Sequence, residues 1–470
     1  MGLLFSGNRC HPCVKEAFML KFPYYEEVFM KEIIRQLIID FNAMDIPRPT
    51  PRSYDMPTLP PNVRKAIIYI GMRRSGKTWV LYDFMHRLIN GGLAKKHILY
   101  LDFTDDRLEG ITAKDLQYIV DTYFEINPDL INKERVYFFF DEIQEIEGFE
   151  RFIRRLLDKE KMHIYITGSS AKMLSKEIST LLRGRTIEQK VFPFSFTEYL
   201  LNKNIDLMPP YTSTDKYKLH KLINEYIHIG GFPEVSHMEE MQRIEMLQGY
   251  INSVVYRDIV DRYEIKNIHA VKATIHHCMK NAATKLSVNK LYDRFKSQGM
   301  SLSKDALYQY LEYFEDSFCV FSIPLFTPSV NKQQNNPKKI YPIDTGLITA
   351  YSFSSDMDMA AKLETLVFVT LYRRHTNIFY YLTNNRLEVD FVTLDIKGKP
   401  ILLQVCVNIN NIQTEEREIK ALLQAMDELD VSSGYIVTID TKRVIEIDSK
   451  VINVIPILEL IDNDSSTVKI

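Results

Sequence analysis

From Arg64 onward, short apolar runs alternate with stretches of helical period. KAIIYI (65–70), HILYLDF (97–103), RVYFFFDE (135–142), HIYITGS (163–169) and RTIEQKVF (185–192) read as strands. Such alternation predicts an α/β unit, a parallel sheet covered by helices on both faces. Upstream, FMKEIIRQLIIDFNAM places apolar residues at helical spacing, and the proline-rich IPRPTPRSYDMPTLPP that follows suits neither helix nor strand.

Downstream, 195–275 reads mostly helical, broken by GGFPEV at 230–235. SVNKLYDRFKSQGMSLSKDALYQYLEYFEDS (287–317) predicts a helix, a turn around Gly299 and a second helix. An apolar strand and a basic loop, FTPSVNKQQNNPKKIY, come next, so helix-turn-helix plus β-wing is the economical reading. Residues 360–470 return to α/β with helices LETLVFVTLYRRH and TEEREIKALLQAMDEL around strands such as EVDFVTLD and PILLQVCV. The boundaries expected are 1–60 for a helical extension and connector, 61–200 for the sheet unit, 201–275 for a helical lid, 276–345 for the winged helix and 346–470 for a last α/β domain.

Composition narrows the class without choosing a function. A chain of 470 residues with 46% hydrophobic and 26% charged residues suits several globular domains. Its net charge of −2 confines any nucleic-acid contact to a local patch. No apolar run approaches the roughly 20 residues that span a bilayer, and the N-terminus has no signal-peptide pattern, so a cytoplasmic protein without membrane contact is expected. Five cysteines fit that compartment. Cys10 and Cys13 form a CxxC, but no second ligand pair has matching spacing, and ordinary thiols are expected.

GMRRSGKT, Gly71 to Thr78, matches G-x-x-x-x-G-K-[ST] between a predicted strand and a predicted helix. Gly71 and Gly76 let the loop close tightly, so that the backbone of Met72, Arg73, Arg74 and Ser75 surrounds a phosphate, with Trp79 following on the helix. Lys77 is expected to bridge the β- and γ-phosphates of ATP, and Thr78 to ligate Mg²⁺. VYFFFDE ends an apolar strand in two carboxylates, with Asp141 suited to the Mg²⁺ shell and Glu142 to polarising water. The strand HIYITGS is expected between the other two. Its tip, Thr167, Ser169 and Ser170, either presents a hydroxyl near the γ-phosphate or caps a helix. Arg183 or Arg185 would stabilise transition-state charge, in cis or across a subunit boundary of a homo-oligomeric ring; Arg73 and Arg74 touch phosphate or face water.

With these residues in place, the chain resembles a family of bacterial and archaeal AAA+-like P-loop ATPases that carry a winged helix and a C-terminal domain of restriction-endonuclease-like type. GMRRSGKT, the DEIQ of 141–144, ITGSS, LLRGRTIEQKVFPFSFTEYL, GGFPEV, the DTGL of 344–347 and EVDFV carry the resemblance. Phe149 stands where the family pattern usually has a tryptophan, and residues 1–25 lie outside it. The fold implied is a P-loop NTPase sheet of AAA+ order, a winged helix and a degenerate PD-(D/E)XK nuclease-like domain. A nuclease of that type would place a carboxylate on a first helix, an Asp on one strand and Glu-x-Lys on the next. Glu364 and Asp390 remain, with Glu388 on the same strand, but Gln404 and Cys406 fill the Glu and Lys positions. A neutral amide holds Mg²⁺ poorly and a thiol offers no positive charge, so cutting is not expected unless Lys397, Lys399 or Lys420 stands in.

Residues 280–340 hold nine Lys/Arg against five Asp/Glu, a local excess of +4. Lys290, Arg294 and Lys296 fall on the first helix of the pair, Lys304 opens the second, and Lys332, Lys338 and Lys339 lie in the wing, a layout suited to the phosphates of duplex or branched DNA. Glu312, Glu315 and Asp316 oppose it from the end of the second helix. Two readings follow: an ATPase coupled to DNA, or an ATP-dependent switch or protein-assembly device; an active Mg²⁺-dependent nuclease is third.

Overall fold

Five short apolar strands align side by side in a computed structural model, which describes residues 23–461 apart from 55–56, 58, 61–62, 132–135, 160–161, 169–181, 183, 207–210 and 353–355. They are β1 (Ala66–Ile70), β2 (Ile98–Asp102), β3 (Tyr137–Asp141), β4 (His163–Gly168) and β5 (Thr186–Lys190). All pairs are parallel, in the order β2-β3-β4-β1-β5, so β4 separates β1 from β3 as the sequence predicts. Strands β1 to β4 are buried nearly throughout, as two covered faces require. This is a parallel-sheet P-loop NTPase fold.

Helix α1 (Pro23–Ala43) packs on this unit rather than standing apart from it. Lys31 and Arg35 reach Glu125 on α3 (Leu116–Ile126) at 2.6 and 2.5 Å, and Asp40 pairs with Arg107. Helix α2 (Lys77–Asn90) follows β1, and α4 (Phe149–Lys159) follows β3. Phe149 is fully buried in the core, where a large apolar ring is what the position needs.

A helical region comes next: α5 (Phe196–Asn202), α6 (Ser213–Ile229), α7 (Glu240–Ser253) and α8 (Ile268–Lys280). Helix α7 runs on through seven residues of wider π-helical winding, Val254–Val260, to Tyr263. Two sequence motifs far apart in the chain meet here. Gly231 donates its backbone N–H to Asp344 at 2.7 Å, Asp344 also accepts from Gly346 at 2.9 Å, and Gly231 accepts from the Phe194 amide at 2.6 Å. A Cβ on Gly230 or Gly231 would overlap the Asp344 carboxylate or the Phe194 carbonyl, which is why GGFPEV and DTGL need small residues there.

Helices α9 (Val288–Ser297) and α10 (Lys304–Asp316) pack beside a three-stranded antiparallel sheet in the order β6-β8-β7, from Lys285–Leu286, Lys338–Pro342 and Val320–Ile323. The segment expected as a basic loop holds a short helix, α11 (Val330–Asn335), between β7 and β8. After α12 (Thr345–Tyr351) and α13 (Asp356–Tyr372) comes a mixed six-stranded sheet, β13-β14-β12-β11-β10-β9. Its strands are β9 (Ile378–Leu382), β10 (Glu388–Leu394), β11 (Pro400–Val405), β12 (Ser433–Thr438), β13 (Arg443–Ile447) and β14 (Lys450–Pro456), with α14 (Ile412–Glu428) and α15 (Ile457–Ile461) completing the domain. The two sheets are joined, the Phe326 amide donating to Tyr380 at 2.7 Å and the Tyr380 amide to Pro324 at 3.1 Å, while Tyr341 of β8 stacks on Phe368 of α13. No helix among the described residues is long and apolar enough to cross a membrane. Cys278, Cys319 and Cys406 are buried free thiols; Cys10 and Cys13 lie outside the described residues.

Candidate functional site

The loop between β1 and α2 is shaped by backbone that few residues tolerate. Arg74 and Gly76 both take left-handed conformations, φ 65° and 96°. A Cβ on Gly71 would run into the Val191 carbonyl, so the loop starts in a space only glycine fits. Lys77 opens α2, and its buried Nζ lies 3.3 and 3.4 Å from the carbonyl oxygens of Gly71 and Met72. Ser75 is buried, and its Oγ has no hydrogen-bond partner among the described residues. Behind the loop, Arg52 of the proline-rich connector is buried with its guanidinium on the Ser75 carbonyl (3.2 Å), the Phe192 carbonyl (2.6 Å) and Glu198 (3.1 Å). Trp79 is 45% exposed on the first turn of α2.

Asp141 and Glu142 stand at the end of β3, beside the loop. Asp141 is buried and takes hydrogen bonds from the hydroxyls of Thr167, Thr78 and Tyr100, the last at 3.0 Å. Burial pushes its carboxyl up, against the pull of Thr167 and Thr78. Glu142 has a left-handed backbone, φ 50°, and its N–H donates to Thr167 Oγ1 at 2.9 Å. Its carboxylate lies 3.6 Å from Lys77 and accepts from Gln144. Burial would raise the Glu142 carboxyl, but Lys77, Gln144 and Arg73 outweigh it and hold it below the ordinary value. Lys77, Thr78, Asp141, Glu142 and Thr167 are thus brought together.

These groups fit a phosphate and a hard cation. Left-handed loop residues turn backbone amides inward, Ser75 Oγ is a polar atom in want of a partner, and Asp141 with Thr78 supplies hard oxygens.

A second charged cluster lies between the two C-terminal sheets. Lys339, on the central strand β8, is only 2% exposed. Its Nζ lies 2.6 Å from Glu364, 2.9 Å from Glu388 and 3.0 Å from Asp390. Tyr341 donates to Glu364 at 2.7 Å, and Lys285 pairs with Glu388 at 2.6 Å. Lys339 was expected to face DNA; it is instead buried as the counter-ion of this cluster. Asp390 also accepts from the Val405 amide at 2.9 Å and donates its own amide to Gln404 at 3.2 Å. Gln404 in turn donates to Glu418 on α14 at 2.5 Å. Cys406 is a buried thiol whose ionisation burial opposes. No group of three His, Cys, Asp or Glu residues among those described is arranged to hold a metal ion.

Comparison with known proteins places the chain. Three family models match in tandem: an AAA domain over residues 63–200, and two domains of unknown function (DUF8612 and DUF4143) over 220–358 and 360–460. An uncharacterized protein of Methanocaldococcus jannaschii, MJ1544, is 34% identical over 383 residues, covering 80% of this chain and 82% of that protein. The chain belongs to the MJ1544 family. An uncharacterized protein of Haemophilus influenzae is 30% identical over 323 residues, covering 68% of this chain and 78% of its own length. Among solved structures, the chain matches the Aeropyrum pernix ORC1 protein in complex with DNA, at 12% identity and TM-score 0.28 over 61% of this chain and 86% of that one. AMPPCP-bound DnaA from Aquifex aeolicus is another, at 15% and 0.22 over 60% and 86%. Scores that low carry nothing about partners.

The parallel register relocates one arginine. Thr186 pairs with Ala66 and Lys190 with Ile70, so Arg185 sits at the start of β1, the end opposite Gly71. There it pairs with Asp158. Five residues of strand span about 17 Å, which rules out a role at its own chain's phosphate loop. Arg183, Ser169 and Ser170 lie outside the described residues. The loop arginines are both engaged. Arg74 reaches Glu234 of GGFPEV at 2.7 Å and lies over the Tyr250 ring, while Arg73 Nε lies 2.9 Å from both oxygens of Asp258 in the π-helical turn. Sequence reasoning passed over Asp258, Glu234, Arg52, Tyr100 and Glu418. Each is an ordinary polar residue in an apolar helix, strand or linker, and its partner is distant in the chain.

On α9 and α10, Lys290, Arg294, Lys296 and Lys304 are exposed, as are Lys332 and Lys338. The acids that opposed a DNA surface are largely turned away. Glu315 is partly buried and accepts from Ser322, and Asp316 accepts from Tyr263 at 3.5 Å. Helix α10 presents Lys304, Asp305, Tyr308, Gln309 and Glu312 to solvent.

Proposed function

We propose that this member of the MJ1544 family is a Mg-ATP-hydrolysing AAA ATPase that couples turnover to binding duplex or branched DNA. The observation that carries the ATPase reading is the meeting of Lys77, Thr78, Asp141, Glu142 and Thr167 at the mouth of a left-handed glycine loop. Lys77 would neutralise phosphate charge, and Thr78 and Asp141 would hold Mg²⁺, which supplies a Lewis acid for the departing diphosphate. Glu142, kept ionised by Lys77, would orient and polarise water, and Thr167 ties the Asp141 carboxylate to the Glu142 backbone by donating to the first and accepting from the amide of the second.

The DNA reading is supported by the exposed basic face of α9 and the start of α10, which we take as a winged helix contacting phosphates. Tyr308 and Gln309, on the same exposed face, suit base or sugar contacts. The C-terminal domain acts in this reading as a nuclease-like fold that does not cut, because the Lys339 ammonium takes the charge a Mg²⁺ ion would need and Gln404 replaces a carboxylate. A second reading, an ATP-driven switch for a protein partner, is favoured by the tie of both loop arginines to the helical lid.

Steady-state ATP hydrolysis with linear, single-stranded and four-way-junction DNA separates them. Turnover in the wild type, lost by a hundredfold or so in Glu142→Gln, is expected from a general base. Stimulation by one DNA form, falling steeply with salt, supports coupling to DNA. Turnover indifferent to every DNA removes that coupling and leaves the switch.

A further inference from the structure

Arg73 occupies the third position of a loop whose backbone suits phosphates, yet its side chain is fixed from outside the loop. Nε faces both carboxylate oxygens of Asp258 at 2.9 Å, and among the described residues the hydrogen bonds of Arg73 are made through Nε alone. A planar guanidinium held that way has Nη1 and Nη2 available for a second acceptor in a fixed fork. Asp258 is itself buried, in a stretch of π-helical winding, a feature that often accompanies functional sites. The neighbourhood is charged: Asp258 holds Arg73 at 2.9 Å, and in the same loop Lys77 lies 3.6 Å from the Glu142 carboxylate. No other loop arginine is placed to serve, since Arg74 is drawn out to Glu234 and Tyr250. Arg185 sits at the far end of the sheet.

We propose that Arg73 is the chain's own γ-phosphate arginine and that Asp258 is its positioning residue. The inference rests on the ATPase reading and goes beyond it in two respects. It makes the charge-stabilising arginine internal to the chain, and it assigns the lid a residue that reads the third phosphate. A γ-phosphate gripped by Arg73 is joined through Asp258 to the helix that runs from α7 to Tyr263, so nucleoside triphosphate and diphosphate differ in how firmly that helix is held.

The test is the ratio of affinities for AMPPCP and ADP, each with Mg²⁺, measured by calorimetry on the full chain. Arg73→Ala should weaken AMPPCP by about tenfold or more while changing ADP less than about twofold. Asp258→Asn should move the ratio the same way, and the double variant should be no worse than Arg73→Ala, because the two residues act in series. Equal weakening of both nucleotides would reduce the pair to a structural clamp and overturn the proposal. So would an Asp258→Asn effect that adds in full to that of Arg73→Ala. If Asp258→Asn fails to fold, Arg73→Lys keeps the charge but removes the fork, and an unchanged ratio there overturns the proposal as well. Lys77→Ala marks the underlying reading: a wild type that binds neither nucleotide, or a Lys77→Ala protein that binds both normally, brings down the phosphate loop itself, whereas a preserved loop with a flat ratio brings down only Arg73.

Discussion

Asp141 and Asp390 both lie buried on an interior strand next to a sheet edge, one in β3 and one in β10, and they meet positive charge in different ways. Around Asp141 the described partners are hydroxyls, those of Thr167, Thr78 and Tyr100, and the nearby ammonium of Lys77 goes to Glu142. Around Asp390, Glu364 and Glu388, a lysine from the neighbouring sheet fills the centre. Hydroxyls orient a carboxylate without neutralising it, so the first site still calls for a cation. The second has its cation built in, as a covalent part of the chain. On the proposed reading the first cluster exchanges ligands, whereas the second ties two sheets together.

The largest effect should come from removing the internal cation. Lys339→Met leaves Asp390 and Glu364 without their ammonium, and Glu388 with Lys285 alone, and should cost about 3–5 kcal/mol, read from the urea midpoint of the C-terminal transition. Asp141→Asn, which removes a buried charge held by neutral donors, should move the midpoint by less than about 1 kcal/mol. Similar losses at the two sites would erase the contrast. The pH dependence sharpens it. Burial disfavours the Lys339 ammonium, but Asp390, Tyr341, Glu364 and Glu388 outweigh that and hold it well above the ordinary lysine value. Its contribution is therefore complete below about pH 10.4 and is lost as pH rises through the higher folded value. Burial likewise works against the Glu388 carboxylate, yet Lys339 and Lys285 hold it below the ordinary value. That contribution is present above about pH 4.3 and is lost as pH falls through the lower folded value. Stability should thus fall at both extremes in the wild type, whereas Lys339→Met should lose the alkaline limb and become more stable as falling pH protonates the carboxylates left without an ammonium, Glu364 first, since burial and Asp390 already push it up.

Ligand linkage gives the next effect. Mg-ATP at a hundredfold excess over its dissociation constant should stabilise the AAA domain by about 2.7 kcal/mol, seen as a higher thermal midpoint. Asp141→Asn should lose most of this gain, because an amide is a poor ligand for a hard cation. Mg²⁺ without nucleotide should leave the C-terminal transition where it was; a rise there would mean that Lys339 gives way to a metal.

The two sites also differ in how far they could be read from sequence. The phosphate loop is contiguous, Gly71 to Thr78, and its carboxylates end the next apolar strand but one, so local pattern was enough to bring them together. The limits of β1 to β4 fell within two residues of those observed because both faces of these strands are buried and their apolar runs are uninterrupted. Lys339 shows the opposite case. It follows Lys338 in a basic stretch, and a pair of lysines reads as solvated surface. A strand sends successive side chains to opposite faces, so Lys338 stays outside while Lys339 turns inward to carboxylates 25 to 51 residues further along. Asp258 was hidden similarly: its partner Arg73 lies 185 residues earlier, and nothing in VVYRDIV marks the winding that carries it.

The smallest test concerns the hydroxyls that distinguish the open site. Tyr100 donates to Asp141 at 3.0 Å, Tyr82 lies 3.3 Å from Tyr100 oxygen to oxygen, and Trp79 meets the edge of Tyr82 at 5.8 Å. These contacts lead from a partly exposed indole to the buried carboxylate. If the Tyr100 hydroxyl is one of the groups that hold Asp141, Tyr100→Phe should cost about 0.5–1.5 kcal/mol, the usual net worth of one such bond. In Asp141→Ala the same substitution should cost little, so the double-mutant cycle should show a coupling of about 1 kcal/mol. Additive losses would mean that Tyr100 only packs, and the open site would then rest on Thr167 and Thr78. Trp79 is the one tryptophan in the chain, so its emission reports on this corner without a label. Emission that changes with Mg-ATP in the wild type and less in Tyr100→Phe would tie the hydroxyl chain to the nucleotide, whereas equal changes in both would confine it to stability.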